Sequence, residues 1–201
     1  MHKVFISYHH KNDQLYKEKL LEINSQNQIF IDMSVDTGDI DDDLSDERIR
    51  EIIRDDYLRD STVTILLVGL DTSSRKHIDW ELFSSMFDGK RNKKSGIIVI
   101  YLPSTSCKYC TVAHENEKEV VHPEITSWCT FDERKQYEDR YPEIPPRIID
   151  NLLVKDVKIS VIGWNKIAES PDKLLFLIEK SHNDRASNGY DLSRLMKRSD
   201  S

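Results

Sequence analysis

Residues 63–69 read Val-Thr-Ile-Leu-Leu-Val-Gly, and residues 97–102 read Ile-Ile-Val-Ile-Tyr-Leu. Both runs are nearly continuous in apolar residues, which is typical of parallel strands that helices cover on both faces. Neither run is long enough to cross a bilayer as a helix, which takes about 20 residues. The two runs therefore predict neighbouring strands in the interior of a parallel sheet.

The chain around these two runs alternates between strand-like and helix-like patterns. Three further segments complete the set of predicted strands, at 4–6, 29–31 and 157–162. Between them, Tyr16, Leu20 and Ile23 fall at i, i+4 and i+7, the spacing of one helix face. Further helices are predicted after Ser45 as N-cap, over 74–88, and from Pro171 behind Ser170 as cap. This alternation predicts an α/β protein of flavodoxin-like plan, with a five-stranded parallel sheet and helices on both faces.

The domain organisation follows from where this alternation stops. Residues 103–147 break the pattern and contain all three cysteines and five of the six prolines, so we predict an insertion with short irregular elements before the last strand. Residues 1–181 are predicted to form one domain that includes this insertion. The polar stretch 182–201 is predicted to be a mobile C-terminal tail.

Charge and cysteine content exclude several classes of protein. Lys and Arg number 29 and Asp and Glu number 36, so the formal net charge is −7. Proteins that coat nucleic acid or bind anionic membranes through basic patches need a basic surface, and neither partner is expected here. An odd number of cysteines and the lack of a signal-peptide pattern lead us to expect a cytoplasmic protein.

Glu81 is the strongest candidate for chemistry. It lies between Trp80 and Leu82 on the predicted helix 74–88, which has little other polar surface nearby. An acidic residue in such a place is paired, lies at the edge of the buried face, or is kept for a reaction. The alternative is an ordinary exposed carboxylate on the polar face of the helix.

Four segments that surround this residue occur in a definite order along the chain. They are Val4-Phe5-Ile6-Ser7-Tyr8-His9, Asp32-Met33-Ser34, the polar turn 71–74 and Trp80-Glu81-Leu82. Together they resemble TIR domains, and more narrowly the TIR-like domain of bacterial Thoeris anti-phage systems, the ThsB type. The resemblance covers roughly 3–102 and the last strand and helix. It implies a flavodoxin-like TIR fold with an insertion at 103–147.

The resemblance also implies an activity, namely cleavage of the nicotinamide–ribose bond of NAD with Glu81 as the catalytic carboxylate. NAD is then the substrate, and no cofactor is expected. The product is an ADP-ribose derivative, expected to be cyclic, that signals to a downstream effector in antiviral defence, and self-association of the chain is expected as well. Positive charge develops on the ribose as nicotinamide leaves, and a fixed carboxylate in a partly dry cleft stabilises it.

The same resemblance assigns the remaining substrate-binding residues. Phe5 and Ser7 are expected to shape the floor of the cleft, and His9 or His10 to contact phosphate or ribose. Asp32 and Ser34 are expected to border the ribose, although an Asp that caps the following loop is an equally ordinary arrangement. Trp80 and His77 are the other two expected substrate-binding residues. His77 lies four residues before the glutamate, where many relatives have Trp.

Three alternatives stay open at this stage. The chain could be a TIR interaction module without turnover that works by homotypic assembly, or a nucleotide-binding sensor that uses the same cleft. Cys107 and Cys110, with His114, His122 and Cys129 downstream, have part of the pattern of a zinc site, but the second half is irregular and we predict no metal. The acidic run 36–47 is predicted to be a solvated loop of the kind that mediates self-association in TIR domains.

Overall fold

The sheet has the predicted class and strand number. The computed structural model describes residues 1–34, 44–58, 60–89 and 92–200. The strands are β1 His2–Ser7, β2 Phe30–Asp32, β3 Val63–Val68, β4 Gly96–Tyr101 and β5 Ile159–Gly163. All neighbours pair in parallel, in the order β2-β1-β3-β4-β5. The α/β, flavodoxin-like prediction is therefore confirmed, and the order reverses between β1 and β3.

The helices lie on both faces of this sheet, as predicted. They are α1 His10–Asn27, α2 Asp46–Ile52, α3 Lys76–Met86, α4 Glu117–Val121, α5 Arg134–Arg140, α6 Pro146–Leu152, α7 Trp164–Glu169 and α8 Pro171–Asp184. A π-helical turn, Ile53–Tyr57, extends α2. One apolar cluster joins the sheet to α1, α7 and α8, and a second joins it to α3 and α6.

Strands β3 and β4 have a neighbouring strand on each side and helices on both faces, and every residue on them is buried. Gly96, the first residue of β4, lies so close to α8 that a Cβ atom there would stand 2.2 Å from the Ser181 carbonyl oxygen. Only glycine allows this approach of backbone to backbone. The apolar runs that led the sequence analysis are thus the strands that both helical layers cover.

The helix ends differ in small ways from the predictions. Helix α1 begins before residue 12 because His9 acts as its N-cap and accepts a hydrogen bond from the Asn12 amide at 3.1 Å. Ser45 caps α2 as predicted and accepts from the Arg48 amide. Ser170 precedes Pro171 at the start of α8, but its side chain makes no capping bond.

The insertion is more regular than the sequence indicated. It contains α4, α5 and the start of α6, and Thr111 pairs with Val161 of β5 through two backbone hydrogen bonds of 2.9 Å. The zinc alternative gains no support, because no group of three or more metal-ligating side chains was found among the described residues. His114 instead bonds Asp184 at 2.7 Å.

The C-terminal stretch that was expected to form a mobile tail packs against the rest of the domain over residues 188–200. Met196 is 4% exposed and packs with Phe5 and Trp80. The Trp80 indole N–H donates to the Lys197 carbonyl at 2.7 Å. Burial of Met196 together with satisfied backbone carbonyls holds the tail against α3, which the polar composition of this stretch did not indicate.

Two further predictions concern self-association and membrane binding. Most of the acidic run 36–47 lies outside the described residues, so its role in self-association stays a prediction. Within the described ranges, no helix is both long enough and apolar enough to cross a membrane.

Candidate functional site

Ser7 and Glu81 meet at the point where the strand order reverses. Ser7 is the last residue of β1, and Gly69 follows the last residue of the neighbouring strand β3. The Ser7 hydroxyl donates a hydrogen bond of 2.6 Å to Oε2 of Glu81, which projects from α3. Ligands of open α/β sheets bind outside the carboxyl ends of the strands at such a reversal. The carboxylate singled out from sequence is therefore located where this fold places its ligands.

Glu81 is buried rather than exposed, which excludes the alternative of an ordinary surface carboxylate. Its side chain is 3% exposed, and Ser7 is fully buried beneath it. Burial raises the pKa of Glu81 to about 7, while the hydrogen bond from Ser7 acts in the opposite direction. Burial disfavours the charged form because the surroundings solvate it poorly, and a donated hydrogen bond favours it. Glu81 can therefore gain or lose a proton near neutral pH.

Asp13 is a second buried acid beside this site, and it was not among the predicted site residues. It lies in the first turn of α1, is 4% exposed, and its Oδ2 has no hydrogen-bond partner among the described residues. Burial raises its pKa, nearby His9 lowers it, and Asp71 raises it again. A Cβ atom at Gly69 would stand 2.4 Å from Oδ1 of Asp13, so the glycine after β3 is what lets this carboxylate lie against the strand end. No local pattern reveals a contact between residues 13 and 69.

The two histidines after β1 have different surroundings. His9 is 6% exposed, and its Nδ1 accepts the capping bond from Asn12. His10 is exposed and stacks on Tyr8, with ring centroids 4.4 Å apart. The Asn12 side chain in turn donates to Asp71 at 2.6 Å, which ties the start of α1 to the loop after β3. Contact of His9 or His10 with a ligand stays a prediction.

Asp32 and Ser34 lie at and just after the end of β2, where Asp32 pairs with Val4 and Ser34 lies beside Ile6 of β1. Oγ of Ser34 accepts a hydrogen bond of 3.1 Å from the amide of Ile6 in β1. Oδ1 of Asp32 accepts from the Ser34 amide at 2.9 Å, which is the loop-capping arrangement considered as the alternative. Residues 35–43, which follow, lie outside the described part of the chain, so the predicted contacts with ribose stay predictions.

Phe5 and Trp80 are buried next to the site, whereas His77 is half-buried one turn before Glu81 on α3. Phe5 and Trp80 are each 1% exposed and belong to one apolar cluster, and Phe5 lies on the same face of β1 as Ser7, two residues away. His77 is half-buried and contacts Trp80 edge to face at 4.9 Å. The Trp80 side chain packs with Phe5 of β1 and donates to the tail, and so links α3 to both. Direct contact of Trp80 with substrate stays a prediction.

The comparison with protein families agrees with this geometry. A family model described as Thoeris protein ThsB, TIR-like domain, matches residues 5–106, which is just over half of the 201-residue chain. The chain belongs to the ThsB TIR-like family. The resemblance noted from its motifs is thereby confirmed, and the chain is a defence-related TIR domain. The ThsB match includes every predicted site residue but ends before most of the insertion. No curated protein matches the chain.

Proposed function

We propose that this ThsB-type TIR domain cleaves the nicotinamide–ribose bond of NAD, with Glu81 as the catalytic carboxylate. The observation that carries the proposal is the buried Ser7–Glu81 hydrogen bond at the reversal of strand order. A carboxylate held there lies at the ligand-binding edge of the sheet and is surrounded by protein rather than water.

In the proposed reaction, the bond between the ribose C1′ and the pyridinium nitrogen breaks, and both electrons go to that nitrogen. Nicotinamide leaves as a neutral molecule, and its positive charge moves to the ribose as an oxocarbenium ion. Glu81 in its ionised form stabilises this cation, because opposite charges attract more strongly in a site from which water is excluded. Water then adds to C1′ and releases a proton to solvent, or an atom of the same molecule adds and closes a cyclic ADP-ribose isomer.

Ser7 has a positioning role in this reaction. Its donated hydrogen bond fixes one oxygen of Glu81 and favours the ionised form against the effect of burial. About half of the Glu81 side chains are ionised at pH 7 when the pKa is about 7, so a working carboxylate is present at neutral pH. The partners in this proposal are NAD, an effector that responds to the nucleotide product, and further copies of the chain.

The test compares nucleotides in bacteria that express the wild type, Glu81→Gln or Glu18→Gln, before and after phage infection. Glu18 is exposed on α1, so its variant makes the same chemical change away from the site. We expect NAD to fall, or an ADP-ribose derivative to accumulate, with the wild type and Glu18→Gln but not with Glu81→Gln. The mass and retention of the product identify the nucleophile.

Equal nucleotide pools in all three infected strains would contradict the enzymatic proposal. The interaction module that works by homotypic assembly would then become the better interpretation. Light scattering of the purified chain against concentration measures that assembly directly.

A further inference from the structure

A cavity beside β5, the strand at one edge of the sheet, has the charge and the aromatic rings of a binding site. It encloses about 380 Å³, within the range of roughly 300–1,000 Å³ usual for small-molecule sites. The insertion builds it beside β5, where Thr111 pairs with Val161. We call it the basic cavity, and its characteristic lining is Lys108, Lys118, Arg140, Tyr109, Trp128 and Phe131.

The charge of the basic cavity is opposite to that of the whole chain. The chain carries a formal charge of −7, yet no Asp or Glu is among the lining residues, all of which the structure describes. Across the described ranges, Lys108, Lys118 and Arg140 make no ion pair. Three cations kept together without carboxylates favour an anionic ligand.

Aromatic rings hold two of these cations in place. The Arg140 guanidinium lies 4.2 Å from the Tyr109 ring centre and 4.3 Å from that of Phe131. The Lys118 ammonium lies 5.1 Å from the Trp128 ring centre. Nη1 of Arg140 donates a long hydrogen bond of 3.9 Å to Sγ of Cys129, and the other N–H groups of the guanidinium can bind a phosphate.

An adjoining cavity of about 290 Å³ shares Lys108, Tyr109 and Cys110 with the basic cavity. It is lined by His122, which is 2% exposed and has no hydrogen-bond partner among the described residues at either ring nitrogen. Burial lowers the pKa of His122, so the ring is neutral at pH 7 and offers one donor and one acceptor. The one carboxylate in this lining, Glu124, is paired with Lys166.

We propose that the two cavities together bind a nucleoside phosphate, separately from the Ser7–Glu81 site. The phosphate binds to Arg140, Lys118 and Lys108 in the basic cavity. The planar base lies in the adjoining cavity, where His122 bonds its polar edge. Buried polar groups normally have partners, and the polar edge of a base supplies hydrogen bonds that the ring nitrogens of His122 lack.

The three tryptophans of the chain make the proposal testable in one spectrum. Trp128 lines the basic cavity, Trp164 lines the adjoining cavity, and Trp80 lies beside Glu81. We expect AMP to shift the indole N–H signals of Trp128 and Trp164 in a saturable manner and to leave Trp80 unchanged. Ribose 5-phosphate is expected to shift Trp128 alone and to bind at least about tenfold more weakly, because it lacks the base.

Variants test the assignment of each cavity. Arg140→Gln is expected to weaken AMP binding at least about tenfold, as loss of a charge-assisted pair does. Lys135→Gln removes the same charge from an exposed position of the same helix, α5, and is expected to change binding less than about twofold. His122→Phe is expected to bring the affinity for AMP down to that for ribose 5-phosphate. The Arg140→Gln protein is folded if its Trp80 and Trp164 signals without ligand match those of the wild type. If these signals differ, Lys118→Gln is used in place of Arg140→Gln.

Several outcomes would overturn the proposal. It fails if AMP moves only Trp80, or if Arg140→Gln and Lys118→Gln bind AMP as the wild type does. It also fails if inorganic phosphate binds as tightly as AMP, since the nucleoside would then contribute nothing. AMP has no nicotinamide–ribose bond, so these results are independent of whether the chain cleaves NAD.

Discussion

The buried state of Glu81 predicts that Glu81→Gln stabilises the protein, and that it does so more at high pH than at low pH. The folded-state pKa is about 7, and the ordinary value is 4.5. Because the folded pKa is the higher one, the stability linked to protonated Glu81 is fully present below pH 4.5 and is lost as the pH rises through 7. Glutamine keeps the shape of the side chain and cannot ionise, so the variant does not lose this stability.

The size of the effect follows from the shift. One pKa unit corresponds to about 1.4 kcal/mol, so Glu81 costs about 3 kcal/mol once both states are ionised, above pH 8. At pH 5 the side chain is largely ionised in the unfolded chain but still protonated in the folded protein, so about 1 kcal/mol of this cost is already present. The free energy of unfolding of Glu81→Gln minus that of the wild type should therefore rise by about 2 kcal/mol between pH 5 and pH 8.

Urea unfolding of the purified wild type, Glu81→Gln and Glu18→Gln at both pH values measures this difference. All other titrating groups are common to the three proteins and cancel in each comparison. In Glu81→Gln the bond with Ser7 does not depend on pH, and in the wild type its pH dependence is already contained in the pKa of about 7. A difference that stays constant from pH 5 to pH 8, or that matches Glu18→Gln, would show that Glu81 ionises with an ordinary pKa and that the argument from burial is wrong.

Three further predictions follow from the same contacts. Ionised Glu81 is the active form in the proposed reaction, so the rate of NAD cleavage should rise with pH through 7 and level off above about pH 8. Initial rates from pH 5 to 9 measure this, and a flat profile would exclude Glu81 as the titrating group. Arg147→Met should lower the free energy of unfolding by about 3–5 kcal/mol, because it deprives the buried carboxylate of Asp79 of its charged partner and of the hydrogen bonds of 2.8 and 2.9 Å that Arg147 donates. Denaturant unfolding measures that loss, and a cost as small as that of breaking an exposed pair with Arg48→Met would refute it. Gly69→Ala should cost about 1–3 kcal/mol because the new methyl group meets Asp13, and the cost should largely disappear in the Asp13→Ala background, as a double-mutant cycle would show.

The contact between the tail and α3 is of a kind that composition does not indicate. Residues 194, 195 and 197 bind through backbone carbonyls, which Arg147 and the Trp80 indole N–H satisfy. Every residue carries a carbonyl, so no side-chain pattern indicates such bonds. Asp79 completes the arrangement by accepting from the Lys197 amide at 2.9 Å, which links the tail to the helix that carries Glu81.

The sequence by itself determined the class of fold and the identity of the main candidate residue. Two apolar runs predicted the buried central strands, and their alternation with helix-period stretches predicted the parallel sheet, because periodicity and burial are local properties of the chain. The apolar neighbours of Glu81 similarly marked it as unusual. The tertiary structure alone decided what meets this residue. Ser7 and Glu81 are 74 positions apart in the sequence. Asp13 contacts Gly69 although most of α1 and all of β2, α2 and β3 lie between them in the sequence. Such contacts depend on the order and register of the strands, which arise from packing of the whole domain and leave no trace in the neighbouring sequence.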